Sequence, residues 1–227
     1  MIFPIGDDNI IGGHKPLVSY SLILINIFIF VYELRLGLSA ESFITHYGMI
    51  PAEIWAGKEY YTILSSMFLH AGWMHLIGNM LFLWIFADNI EAVIGSARFS
   101  LFYFIGGTVA ALIHMLADPL SMIPSVGASG AISAVMGAYL ILFPRSRVKL
   151  VFIIFFTRFH LPATLFLGFW FLQQLSSGMG SIGQQGMGGI AWWAHIGGFV
   201  YGILAGYIIK RAYGHLYYYG DGNPRGF

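Results

Sequence analysis

Long apolar runs, each about the length of a membrane-crossing helix, alternate with short polar connections along most of the chain. About 20 consecutive apolar residues in a helix cross the ~30 Å hydrocarbon layer of a bilayer. Leu17–Leu36 is the first such run, with Glu33 and Arg35 only in its last turn. Trp73–Val93, Phe99–Ala117, a shorter Ser129–Phe143 closed by Pro144, Leu161–Leu175 and Ala191–Ile209 follow. These six runs predict six spans. Leu150–Phe156 is apolar as well, but Arg145, Arg147, Lys149 and Arg158 bracket it. It reads as an interfacial or hairpin segment ahead of the fifth span. The longest connection, Leu36–Gly72, mixes Phe43, Tyr47, Trp55, Tyr60 and Tyr61 with Glu41, Glu53 and Glu59. Flexible linkers are poor in aromatics, so this loop is expected to pack as short helices at the outer interface, where Trp and Tyr are favoured.

Composition sharpens the class. Of 227 residues, 58% are hydrophobic and 9% charged, with a mean hydropathy of +0.75. An ordinary soluble domain carries about 25% charged residues, so a soluble globular protein and a disordered chain are excluded. A net charge of +1 gives no reason to expect nucleic acid or another polyanion as a partner. Zero cysteines exclude disulfides, a thiol nucleophile and Cys-ligated metals. The fold class is an all-α polytopic membrane protein.

Loop charge sets its orientation. Lys15, Arg98, Arg145, Arg147, Lys149, Arg158, Lys210, Arg211 and Arg225 lie on the side of the N-terminus, against Arg35 and Lys58 on the other. Both termini are therefore expected in the cytoplasm. Residues 1–16 form a cytoplasmic segment, 17–210 the core and 211–227 a tail, of which Tyr217–Phe227 is expected to fray. The first run is longer than a signal-peptide core and reads as a signal anchor. The short tails fit a prokaryotic cytoplasmic membrane. No strong internal repeat appears, which argues against a transporter of duplicated halves.

Ionisable and strongly polar groups inside spans are costly and mark candidate function. The candidates of interest among them are His75, Asn79, His114, Ser129 and His195. Spans two, four and six all enter from the outer side, near Trp73, Ser129 and Ala191. They therefore carry the His75/Asn79 pair, the Ser129 hydroxyl and the His195 imidazole to one depth in the outer leaflet. Ser129 lies between Gly127 and Gly130, a setting that lets the chain turn into a helix with the hydroxyl exposed; taken alone it fits an ordinary helix-capping serine better. Gly198, Gly202 and Gly206 follow His195 at four-residue spacing, and Ser129, Ser133 and Gly137 form a matching small stripe. Such stripes let helix backbones approach closely. A serine needs an adjacent base to become a nucleophile, and neutral histidine is the usual one. His75 and Asn79, four apart on one helix face, can both donate to a developing oxyanion. His70 is expected in the outer interface, and His114 suggests only packing.

Competing chemistries lack their motifs. There is no His-Glu-x-x-His, no P-loop and no pair of aspartates within spans. A metal on His70, His75 and His195 would lack carboxylate or thiolate support. No cofactor and no metal are expected.

Three motifs in order, His75-x-x-x-Asn79, Gly127-Ala128-Ser129-Gly130 and Ala194-His195-x-x-Gly198, resemble those of the rhomboid family of intramembrane serine proteases. The likeness runs from about Pro51 to Gly206. It implies a six-helix bundle, Ser129 as nucleophile, His195 as base without a third carboxylate, and an oxyanion site of His75, Asn79 and the Ser129 amide. Gly127, Gly130, Gly198 and Gly202 would support the helix packing. Substrates implied are transmembrane proteins, cut in or near their membrane segments where the helix unwinds. Two positions depart from the family habit. Ser133 replaces an aromatic that often packs on the histidine, and Tyr61-Thr62 replaces a Trp-Arg pair in the first outer loop. A catalytically silent rhomboid-like protein that binds or routes membrane clients is the alternative, and the oligomeric state is unspecified.

Overall fold

A computed structural model describes residues 2–8, 15–152, 157–182 and 190–213. Apolar sequence with few backbone breakers gives long helices, and glycine and proline mark where they stop. α1 (Leu17–Arg35) follows Pro16. The connection after it holds a 3₁₀ turn (Gly37–Ser39), α2 (Ala40–Tyr47), α3 (Pro51–Trp55), α4 (Thr62–Ser65) and a second 3₁₀ turn (Ser66–Phe68). α5 (Trp73–Ile94) and α6 (Ser96–Ala117) are joined by Gly95 alone. Its φ of +79° is a left-handed conformation that glycine adopts without steric cost, and it reverses the chain within one residue.

α7 (Ser129–Leu142) stands at the centre of the bundle. Ala131, Ala134, Val135, Ala138, Tyr139 and Leu142 are each at most 1% exposed. α8 (Ala163–Gly180) and α9 (Trp192–Tyr213) complete the helices of the described residues. α1, α5, α6 and α9 are both long and apolar enough to cross a membrane. Around the outside, Leu24, Phe28, Leu101, Phe169, Leu204 and Ile208 stay exposed, a distribution suited to a lipid solvent rather than water. At 1.5 Å per residue α7 is only about 21 Å long, less than the ~30 Å hydrocarbon layer. One of its ends therefore lies within the thickness of the bundle.

The mostly helical, multi-pass class stands, with one addition. β1 (Ile2–Gly6), β2 (Arg147–Phe152) and β3 (Thr157–Pro162) form an antiparallel sheet in the order β1-β2-β3. Pro4 pairs with Leu150, and Val148 with Leu161. In β2 Val148 and Leu150 are buried against the bundle while Arg147 and Lys149 point out, the two-residue alternation of a one-sided strand. The bracketed apolar segment before the fifth span is thus a hairpin; residues 153–156 lie outside the described set, as does Tyr217–Phe227. Leu161 and Pro162 end β3 rather than starting α8.

Candidate active site

Ser129 opens α7 because the preceding loop is pinned on both sides. Met49 and Ser125 exchange backbone hydrogen bonds of 3.0 and 2.8 Å, and the Gly127 N–H donates to the Ser66 carbonyl at 2.8 Å. Gly127 has φ +122°, and a Cβ there would lie 2.7 Å from the His75 ring and 3.5 Å from Asn79 Nδ2. Only glycine satisfies both the dihedral and the space. Ser129 is the first helical residue of α7, so its N–H has no acceptor within the helix.

The depth of His195 is set by backbone contact between α7 and α9. A side chain at Gly198 would run into the Gly130 carbonyl, and one at Gly202 into the Ala134 carbonyl. Gly137 faces the Phe199 carbonyl in the same way, and Gly206 meets Ala138. With the two helices this close, the Ser129 hydroxyl and His195 Nε2 are 2.7 Å apart, within reach for direct proton transfer. Both residues are part-exposed. His195 Nδ1 lies 2.8 Å from Gln174 Oε1 on α8. The imidazole is flanked by Trp170, tilted at 35° with ring centres 6.0 Å apart, and by the edge of Trp192 at 6.2 Å.

His75 and Asn79 reach the same place from α5. His75 Nδ1 accepts the Ala71 N–H at 3.4 Å. Asn79 is buried, and its Nδ2 has no hydrogen-bond partner among the described residues. Both side chains border Gly127, two residues before the serine. The arrangement offers a hydroxyl, an adjacent base, and donors on the neighbouring helix.

His70 is 1% exposed, packed against Phe30 and His75, and its N–H donates to Glu33 Oε1 at 3.4 Å. The cause is α1, which covers it. Burial holds the His70 imidazole down to about 4, so it stays neutral across the physiological range. His114 stands on α6 with its Nδ1 buried and unpartnered among the described residues. Ser133 donates to the Ser129 carbonyl at 2.6 Å, and Tyr61 donates to the His46 carbonyl at 3.0 Å, tying the first loop together. Among the described residues no three His, Asp or Glu side chains gather as a metal would require. Gln174 and Trp170 escaped sequence reasoning; the one available signal was an amide in an otherwise apolar span.

The rhomboid domain family model matches residues 57–212. The mitochondrial Rhomboid protein 1 of Saccharomyces cerevisiae is 29% identical over 210 residues, 88% of this chain and 55% of the yeast protein. Rhomboid protease GluP of Bacillus subtilis is 32% identical over 127 residues, 56% of this chain and 24% of that protein. RHOMBOID-like protein 1 of Arabidopsis thaliana is 30% identical over 171 residues, 74% of this chain and 39% of the plant protein. The chain spans about half or less of the length of these curated relatives. They include a bacterial, a fungal and a plant protein, so they do not favour a prokaryotic membrane over an organelle.

Proposed function

The chain belongs to the rhomboid family, and on that premise we propose that it is an intramembrane serine endopeptidase that hydrolyses peptide bonds in or near transmembrane segments. One observation carries the reading: the 2.7 Å hydrogen bond between the Ser129 hydroxyl and His195 Nε2, held by a helix pair with no room to slide. The Ser129 oxygen attacks the scissile carbonyl while its proton passes to His195 Nε2. The resulting oxyanion is met by the Ser129 N–H, Asn79 Nδ2 and His75, in the manner of pre-aimed donors. Collapse breaks the C–N bond, and His195 returns the proton to the leaving amine. A water molecule, deprotonated by the same imidazole, then releases the acyl group and regenerates the serine.

The substrate class follows from geometry. A peptide bond inside a helix is shielded by its own turn, so the bond to be cut must leave the helix to reach Ser129. That favours transmembrane protein substrates with helix-breaking sequence, delivered laterally from the lipid bilayer. With six spans and the basic sheet end in the cytoplasm, the serine end opens outward. One of these relatives, GluP of Bacillus subtilis, is described as a rhomboid protease, which supports hydrolysis over a silent client-binding role.

The test uses purified protein in detergent or a bilayer with a fluorophosphonate probe and a transmembrane substrate. The wild type is expected to be labelled and to cleave. Ser129→Ala is expected to lose both. Labelling that persists in Ser129→Ala would overturn the assignment of the nucleophile.

A further inference from the structure

We infer that Gln174 is a positioning residue that holds His195 in the tautomer able to accept the serine proton, completing a Ser129–His195–Gln174 chain across α7, α9 and α8. This rests on the hydrolase reading above and extends it to a residue outside the motifs.

The geometry selects the tautomer. Gln174 is 3% exposed, on a helix whose neighbours Phe169, Leu172 and Leu165 face outward. A buried primary amide is costly unless its polar atoms are bonded. Its Nε2 donates to the Trp170 carbonyl at 3.4 Å, one turn back, a contact only the nitrogen can make. The carbonyl oxygen is therefore the atom facing His195 Nδ1 at 2.8 Å. An amide oxygen only accepts, so Nδ1 must carry the hydrogen. The lone pair is left on Nε2, the nitrogen 2.7 Å from the Ser129 hydroxyl. In the opposite tautomer two lone pairs would face each other at Nδ1, and Nε2 could not accept a proton.

The choice of a neutral amide suits the depth of the site. A carboxylate in this position would orient the ring as well, but an ion buried in low dielectric is expensive when the imidazole is neutral. The amide dipole orients Nδ1–H and keeps its hydrogen bond when the ring becomes imidazolium. Trp170, four residues before Gln174 and so on the same face of α8, braces the ring itself. One face of one helix thus supplies both restraints.

The experiment compares Gln174→Leu and Gln174→Met, which lack an acceptor at similar volume, with Gln174→Glu, which keeps one. Cleavage is measured as kcat and KM, and the His195 ring nitrogens are observed by 15N resonance in histidine-labelled protein. The expected result is a wild-type signal with hydrogen on Nδ1. In the Leu and Met variants it shifts toward Nε2–H, and kcat falls on the order of 100-fold with KM unchanged, the scale of a misaligned catalytic group. Gln174→Glu, which keeps an acceptor at the desolvation cost just described, is expected to hold hydrogen on Nδ1 and to retain more of kcat than either apolar variant. Wild-type kcat in both apolar variants would overturn the proposal, as would loss of kcat with hydrogen still on Nδ1 or no recovery in Gln174→Glu. The 15N measurement made on Ser129→Ala separates the two readings: the tautomer reports on Gln174 even if Ser129 is not the nucleophile.

Discussion

Asn79 is a buried side chain with an unpaired donor beside Gly127, two residues before the serine. It is 7% exposed, yet its Nδ2 meets no acceptor among the described residues. An unsatisfied buried donor costs about 1–3 kcal/mol, a cost that a purely structural asparagine would avoid by turning to a carbonyl. Instead the amide borders Gly127, where the His75 ring leaves no room for a side chain. A donor kept unpaired in the ground state and paired with a developing oxyanion stabilises only the transition state. Asn79→Ala is therefore expected to lower kcat about 10²–10³-fold, with KM close to wild type. Steady-state kinetics on a transmembrane substrate check this; a loss confined to KM would assign Asn79 to substrate binding instead.

At the scale of elements, the α7–α9 pair sets the Ser129–His195 distance on which the proposed chemistry depends. Gly198 and Gly202 on α9 press on carbonyls of α7, and Gly137 on α7 presses on a carbonyl of α9, so contact is backbone to backbone along the whole seam. Gly202→Leu places four carbons where the Ala134 carbonyl stands. Overpacking of this kind costs about 1–3 kcal/mol or more, and a shift of about 1 Å at the dyad costs about 100-fold in rate. The variant is expected to unfold at lower temperature and to cleave far more slowly, with Ser129 and His195 intact. Wild-type thermal midpoint and rate together would show that the seam has slack. The helices were legible because their apolar runs begin beside Pro16, Gly72 and Ala128 and end near Leu36, Gly95 and Pro144. The sheet was not: Ile2–Gly6 is five residues long with a proline inside it, and its partner strand lies about 145 residues away. Ser129, His195, His75 and Asn79 stood out as polar groups in apolar runs. Gln174 is polar in an apolar run as well but was not singled out, because nothing in its spacing ties it to His195; that link exists only once α8 packs beside α9. The burial of His70 was hidden for a related reason, since its cover comes from α1, some 40 residues earlier.

At the scale of the whole molecule, Asp7 locks the chain's first strand to three distant elements. Its Oδ2 accepts from Asn89 Nδ2 on α5 at 2.8 Å and from the Tyr139 hydroxyl on α7, which also meets Ser146 Oγ at 2.8 Å. Lys149 on β2 donates to the Asp7 carbonyl at 2.6 Å. Burial pushes the Asp7 carboxyl up from 3.8 to about 7, with Asp88 and Asp8 adding to the shift and Tyr139 and Lys149 opposing it. A group with a raised folded-state value binds more protons folded than unfolded. Its stabilising contribution is therefore complete below about 4 and is lost as the pH rises through 7. A shift of about three units corresponds to at most about 4 kcal/mol over that interval. Asp7→Asn keeps the shape and one acceptor oxygen but cannot ionise. Unfolding in a fixed detergent, followed from pH 4 to 8, is expected to show wild-type stability falling toward pH 8 and a flatter profile in Asp7→Asn, with the variant the more stable at the alkaline end. Parallel profiles for the two proteins would mean that Asp7 is already ionised in the folded state, with Lys149 rather than a proton balancing its charge.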